Sequence, residues 1–175
     1  VLDRPVGLDR QDDGPFAQAP TPTERLEQAL GMAYRQLGRR DRTVTEIREH
    51  LTAKGIAEAV VEDAIAELRT QGYLDDGRFA RRFAEDRRAL DGWGAERIMQ
   101  RLRALGVPPE DIDGAMATTL PPGGELQAAV EVLSSRFPEP PSELRDRQRA
   151  LGLLVRRGYE LELAHEALRA YAKQA

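Results

Sequence analysis

Cysteine is absent from this chain of 175 residues, which excludes disulfides and thiolate metal sites. Histidine is almost absent: His50 and His165 are the whole supply, and no ligand spacing relates them. Zinc and thiol catalysis therefore have no basis in the sequence, and both histidines read as surface residues. Aromatic residues make up only 5% of the chain and β-branched runs are few, so almost no sheet is expected. No apolar run approaches the roughly 18 to 20 residues of a membrane span, and no basic segment followed by an apolar one opens the sequence. A cytoplasmic location away from the membrane is the resulting expectation. No Gly-x-x-x-x-Gly-Lys-Ser/Thr loop occurs, and Gly92-Trp93-Gly94 lacks the strand that a dinucleotide fingerprint requires. Lysine is scarce as well, with Lys54 and Lys173 alone. Arginine carries nearly all the positive charge, and its planar fork suits phosphate and carboxylate better than an ammonium does.

What remains is a helical composition. Hydrophobic residues make up 41% and charged residues 32%, rich in Ala, Leu, Glu and Arg. The formal net charge of -4 argues against a protein that coats nucleic acid by bulk charge, so any such contact falls to local patches. Residues 1–23 hold Pro5, Pro15, Pro20 and Pro22 without apolar periodicity and are expected to form a disordered leader. From Glu24 the spacing of Leu26, Leu30, Ala33 and Leu37 predicts a first amphipathic helix. Thr43-Val44-Thr45-Glu46 has the form of a capping box for a second helix ending at Gly55, and a third runs from about Ala57 to Thr70, closed by Gly72.

The same plan then returns. Superposing Gly55, Gly106 and Gly158 places Leu51, Leu102 and Leu154 four residues before each glycine, and Ile47, Ile98 and Ala150 eight before. Ile56, Val107 and Tyr159 follow directly. A period of about fifty residues predicts an all-α tandem array of three three-helix repeats, elongated or curved, over 24–74, 75–122 and 123–175. Units this small bury little core alone, so neighbours are expected to share an apolar seam. Ser142 is expected to cap the eighth helix, after a proline-rich interruption from Phe137 to Pro141.

Candidates for chemistry are few. Asp75-Asp76 and Glu110-Asp111 could hold Mg²⁺ or do acid–base work, but both pairs stand at predicted helix starts, where carboxylates cap amides and oppose the dipole. No catalytic set, cofactor or metal is predicted. Arg78 to Arg103 contains eight arginines against Glu85, Asp86, Asp91 and Glu96, and Arg145 to Arg157 contains five against Asp146. These clusters either grip an anionic partner or form solvated, internally paired helix faces. Trp93 reads as a helix-entry packing residue or a stacking platform.

The run Leu51-x-x-Lys54-Gly55-Ile56, then Ala64-Ile65-x-x-Leu68, then Gly72-Tyr73-Leu74-Asp75-Asp76-x-Arg78-Phe79-Ala80 closely resembles the RecX family of bacterial regulatory proteins. Arg97-Ile98-x-x-x-Leu102-x-x-x-Gly106-Val107 and Leu154-x-x-x-Gly158-Tyr159 continue the likeness over about residues 24–172. Leu105 departs from it, since a basic residue is common before that glycine. The resemblance implies a non-enzymatic, monomeric modulator of the RecA recombinase that binds RecA and its filament on DNA and damps ATPase, strand exchange and co-protease activities in DNA repair and the SOS response. Arg81, Arg82, Arg88, Arg97, Arg101, Arg156 and Arg157 are the expected contacts to recombinase or to single- or double-stranded DNA. Gly55, Gly72, Tyr73, Asp75, Asp76, Phe79, Gly106 and Gly158 are assigned to architecture. A DNA-binding helical module acting without a recombinase is the alternative.

Overall fold

Glycine punctuation and helical spacing of apolar residues produce, in the computed structural model, nine α-helices and no strand among the described residues, 20–121 and 123–174. They are α1 (Pro22–Leu37), α2 (Val44–Ala53), α3 (Glu58–Thr70), α4 (Asp76–Asp91), α5 (Ala95–Ala104), α6 (Pro109–Thr119), α7 (Gly124–Arg136), α8 (Leu144–Arg156) and α9 (Leu161–Gln174). The expected leader lies outside the described residues up to position 19. The first helix begins earlier than Glu24, because Thr21 and Glu24 form a capping box around a proline start. The predicted box of Thr43 and Glu46 caps α2.

Within each three-helix unit the first and third helices make the most extensive contact, and the second crosses them. Buried side chains fall into three separate clusters. Ala33, Ile47, Leu51, Val61, Ile65 and Leu68 belong to the first, Ala80, Ile98, Leu102, Val107 and Ile112 to the second, and Val130, Leu133, Leu154, Tyr159 and Tyr171 to the third. Each fully buried aliphatic side chain contributes about 1.5–3 kcal/mol. The expected apolar seam between units is therefore corrected: each unit closes its own core, and the junctions are polar.

Those junctions have a repeated geometry. The N-terminus of α2 stands on the C-terminus of α5: Thr43 Oγ1 donates to the Leu105 carbonyl at 2.8 Å and Thr45 Oγ1 to the Gly106 carbonyl at 3.0 Å. The N-terminus of α5 stands in turn on the C-terminus of α8, where the Gly94 amide donates to the Arg157 carbonyl at 2.8 Å. Second helices thus line up head to tail, and each joint satisfies backbone groups that a helix end leaves free. The glycines make the approach possible. Gly158 sits at φ +90°, and a Cβ there would overlap Arg97; Gly106, at φ +73°, faces Thr45 in the same way.

Two local expectations are corrected. Ser142 does not cap α8; extended backbone continues through Glu143 (φ -76°, ψ 148°), which is the N-cap and makes no side-chain capping bond. Tyr73 does not pack into a seam: it is 57% exposed, edge-on to Tyr34 with centroids 5.2 Å apart, and Leu74 is the buried neighbour.

Candidate functional site

The two aspartates before α4 belong to different helices. Asp75 Oδ1 accepts from the Arg78 amide at 2.7 Å and caps α4, while Asp76 Oδ1 accepts from the Val44 amide at 2.9 Å and caps α2 of the preceding unit. Glu125, in the first turn of α7, repeats this for α5 by accepting from the Ala95 amide at 2.9 Å. Asp76 is buried, and burial pushes its carboxyl above the usual aspartate value, against the lowering effect of the Val44 hydrogen bond; nearby Asp111 adds to the rise. Glu46 behaves oppositely. Burial works upward there, but hydrogen bonds from Arg40, the Thr43 amide and Arg42, with the Arg40 charge, hold it below its ordinary value. These acids are engaged as caps and joints. Among the described residues no group of three or more His, Cys, Asp or Glu could hold a metal ion. His50 is half-buried rather than fully at the surface, with its Nε2 at 3.4 Å from Gln36 Nε2, and His165 is exposed.

The expected arginines do not converge on one site. Arg82 and Arg101 share a groove of about 660 Å³ between the α1–α2 loop and the α4–α5 face. Its floor is Phe79, Phe83, Trp93 and Leu105, and its rim carries both signs of charge, with Arg82 paired to Asp41 of the preceding unit at 2.8 Å. Arg88 and Arg157 share a second groove, of about 590 Å³, at the next junction, together with Glu85, Asp91, Glu131 and Tyr159. Arg88 is half-buried and reaches the Gly124 carbonyl at 3.5 Å, so it holds the junction. Burial pushes the Tyr159 phenol up to about 12, which keeps it neutral.

Arg97 and Arg156 meet at the α5–α8 joint, where Arg97 Nη1 donates to the Arg156 carbonyl at 2.8 Å. Arg97 also lies 4.2 Å from the Trp93 ring centroid, and Arg87 lies 5.6 Å from it. The indole thus orients two guanidinium groups. Arg81 is exposed on α4 and lines none of these grooves.

The family model described as RecX, first three-helix domain, matches residues 29–68, and that described as RecX, second three-helix domain, matches residues 75–116. The chain is 34% identical over 138 residues to the regulatory protein RecX of Trichlorobacter lovleyi, covering 77% of this chain and 89% of that one. The chain belongs to the RecX family. It is also 31% identical over 157 residues to the regulatory protein RecX of Mycolicibacterium smegmatis, covering 86% of this chain and 83% of that one. The crystal structure of RecX from Lactobacillus salivarius shares the fold with a TM-score of 0.73 at 16% identity, covering 85% of this chain and 97% of that chain. A second crystal structure of a regulatory protein RecX aligns with a TM-score of 0.68 at 24% identity, covering 88% and 74%.

The structure groups three further arginines with Arg156. Arg136, Arg145 and Arg149 line a groove of about 570 Å³ with Arg156, between the end of α7 and α8. Arg145 and Arg149 belong to the second arginine cluster of the sequence, and Arg149 stands nine residues before Gly158 as Arg97 stands nine before Gly106. Arg136 ends a different helix, and only folding brings it alongside.

Proposed function

We propose that this chain is a non-enzymatic regulator of the RecA recombinase, which binds the RecA–DNA filament and damps its ATPase, strand-exchange and co-protease activities in DNA repair and the SOS response. The observation that carries this reading is the similarity to regulatory RecX proteins over most of both chains. The architecture supports it, since a row of units with separate cores presents a long surface to a long partner. In this reading the groove between the first two units meets the recombinase protein. An aromatic floor under a rim of mixed charge suits a polypeptide, which brings apolar side chains, donors and acceptors together. Arg82 and Arg101 are the contacts at that groove, Arg97 and Arg156 extend the surface along the helix column, and Arg88 and Arg157 fix the angle between units.

The test is recombinase ATPase on single-stranded DNA with increasing amounts of the purified chain. A dose-dependent fall, reduced by Arg82→Ala/Arg101→Ala, is expected. Unchanged turnover with a folded chain that also fails to co-sediment with filaments overturns the reading.

A further inference from the structure

We propose that a second copy of this chain docks end to end on the first, seating the start of its α8 on the exposed C-terminus of α2. Three helix ends share one design. At each internal joint the N-cap residue of one second helix donates to the carbonyl of the next one's C-cap residue: Thr43 Oγ1 to Leu105, and the Gly94 amide to Arg157. Covered in this way, Leu105, Gly106, Arg157 and Gly158 are half-buried, and Val107 and Tyr159 after them are buried. The end of α2 has the same form without the cover. Its C-cap is Lys54, followed by Gly55 at φ +76° and then Ile56. Lys54 and Gly55 are exposed, and Ile56 is half-buried. Among the described residues a Cβ on Gly55 would meet nothing within 4 Å, and no donor reaches the Lys54 carbonyl.

The far end of the column of second helices is open in the complementary sense. Helix α8 begins 14 residues before its glycine, whereas α2 and α5 begin 11 before theirs, so about one turn projects. Glu143, its N-cap, is exposed and makes no side-chain capping bond. Leu144, the first helical residue, is 73% exposed, against 7% for Val44 in the same position of α2. The amides at that position in α2 and α5 are held by Asp76 and Glu125 of the next unit, while among the described residues no acid holds the Leu144 amide. Placing the first unit of one copy beyond α8 of the other supplies the missing parts. The Lys54 carbonyl then meets an N-cap, and the Lys54 ammonium faces the Glu143 carboxylate. Glu24, in the first turn of α1, stands where Asp76 and Glu125 stand in their units. Leu144 is covered, and the positive end of α8 meets the negative end of α2. A second copy is the occupant because this chain carries both halves of a connector that it already uses twice. The two copies contribute different surfaces, so the contact is heterologous and leaves an end open at each side for a further copy. An interface as small as one joint holds weakly in free solution. The contact does not depend on the recombinase reading.

The absence of native cysteine makes disulfide cross-linking of the full chain selective. Lys54→Cys and Glu143→Cys chains, both substituted at exposed positions, are mixed at about 100 µM and oxidised with glutathione disulfide. An N-cap and a C-cap residue bonded as at the internal joints lie within disulfide reach. The mixed disulfide between positions 54 and 143 should form roughly tenfold or more faster than either like-with-like disulfide, or than a pair of Arg169→Cys chains substituted on exposed α9, because docking raises the local thiol concentration. Adding Leu144→Asp to the Glu143→Cys chain should bring the mixed rate down toward that of the Arg169→Cys pair. An acid at the first helical position suits the helix dipole, so this variant keeps its fold, as circular dichroism will show. The proposal is overturned if the mixed disulfide forms no faster than the Arg169→Cys pair. It is also overturned if like-with-like disulfides dominate, as a two-fold dimer would give, or if Leu144→Asp leaves the mixed rate unchanged.

Discussion

Replacing Asp76 separates two things that one carboxylate does at the first junction. Its Oδ1 satisfies the buried Val44 amide at 2.9 Å, and its charge is held in a buried site near Asp75 and Asp111. Asp76→Ala strips the acceptor and should cost about 1–3 kcal/mol, the penalty of an unpartnered buried donor. Asp76→Asn keeps Oδ1 and removes the charge, so it should be at least as stable as wild type at pH 7. The sign with pH follows from the raised carboxyl. Between the ordinary value of 3.8 and the raised one, the folded chain keeps a proton that the unfolded chain has lost. The contribution of this group to stability therefore falls as pH climbs through that window and is flat above it. Asp76→Asn should remove that part of the slope. Urea denaturation followed by circular dichroism, repeated from pH 4 to 7, reads both effects, and hydrogen exchange at the Val44 amide localises the loss in Asp76→Ala. An alanine variant as stable as wild type, or an asparagine variant as damaged as alanine, refutes this account of the joint.

The equivalent glycines should respond unequally. Gly55→Ala meets open space and should cost about 1–2 kcal/mol for the left-handed backbone alone, whereas Gly158→Ala also overlaps Arg97 and should cost clearly more, as denaturation of the two variants will show. Leu102→Ala should destabilise the second unit by about 2–5 kcal/mol while hydrogen exchange in the third-unit core around Leu154 stays near wild type, since the two clusters are separate. Loss of protection spreading equally into both units would mean that the junctions transmit more than their hydrogen bonds suggest.

Much of the fold is local, and local features could be read from residue order. The box at Thr43 and Glu46, the left-handed glycines and the leucine four residues before each mid-unit glycine all act within one or two turns. What residue order hid is what one unit does to another. Asp76 reads as a cap for the helix it begins, yet its partner is Val44, 32 positions away, and it is Asp75 that caps α4. The shared seam failed for a related reason: alanines at the helix crossings let each short bundle close tightly on itself, leaving polar helix ends to meet. The arginine clusters were visible as composition, but their division into paired and unpaired groups depends on carboxylates such as Asp41 that lie far off in the chain.

The joint between second helices also bears on how such a chain can change length. Each connection needs a left-handed glycine at the end of one helix, a short helix start that tolerates close backbone approach, and an acid in the opening turn of the next bundle to reach back. None of these requirements touches a bundle's interior. Duplication or loss of a whole fifty-residue block would therefore leave every remaining core intact and preserve the same connector, so the reach of the molecule along a partner can be adjusted in whole-block steps without redesign of any interior.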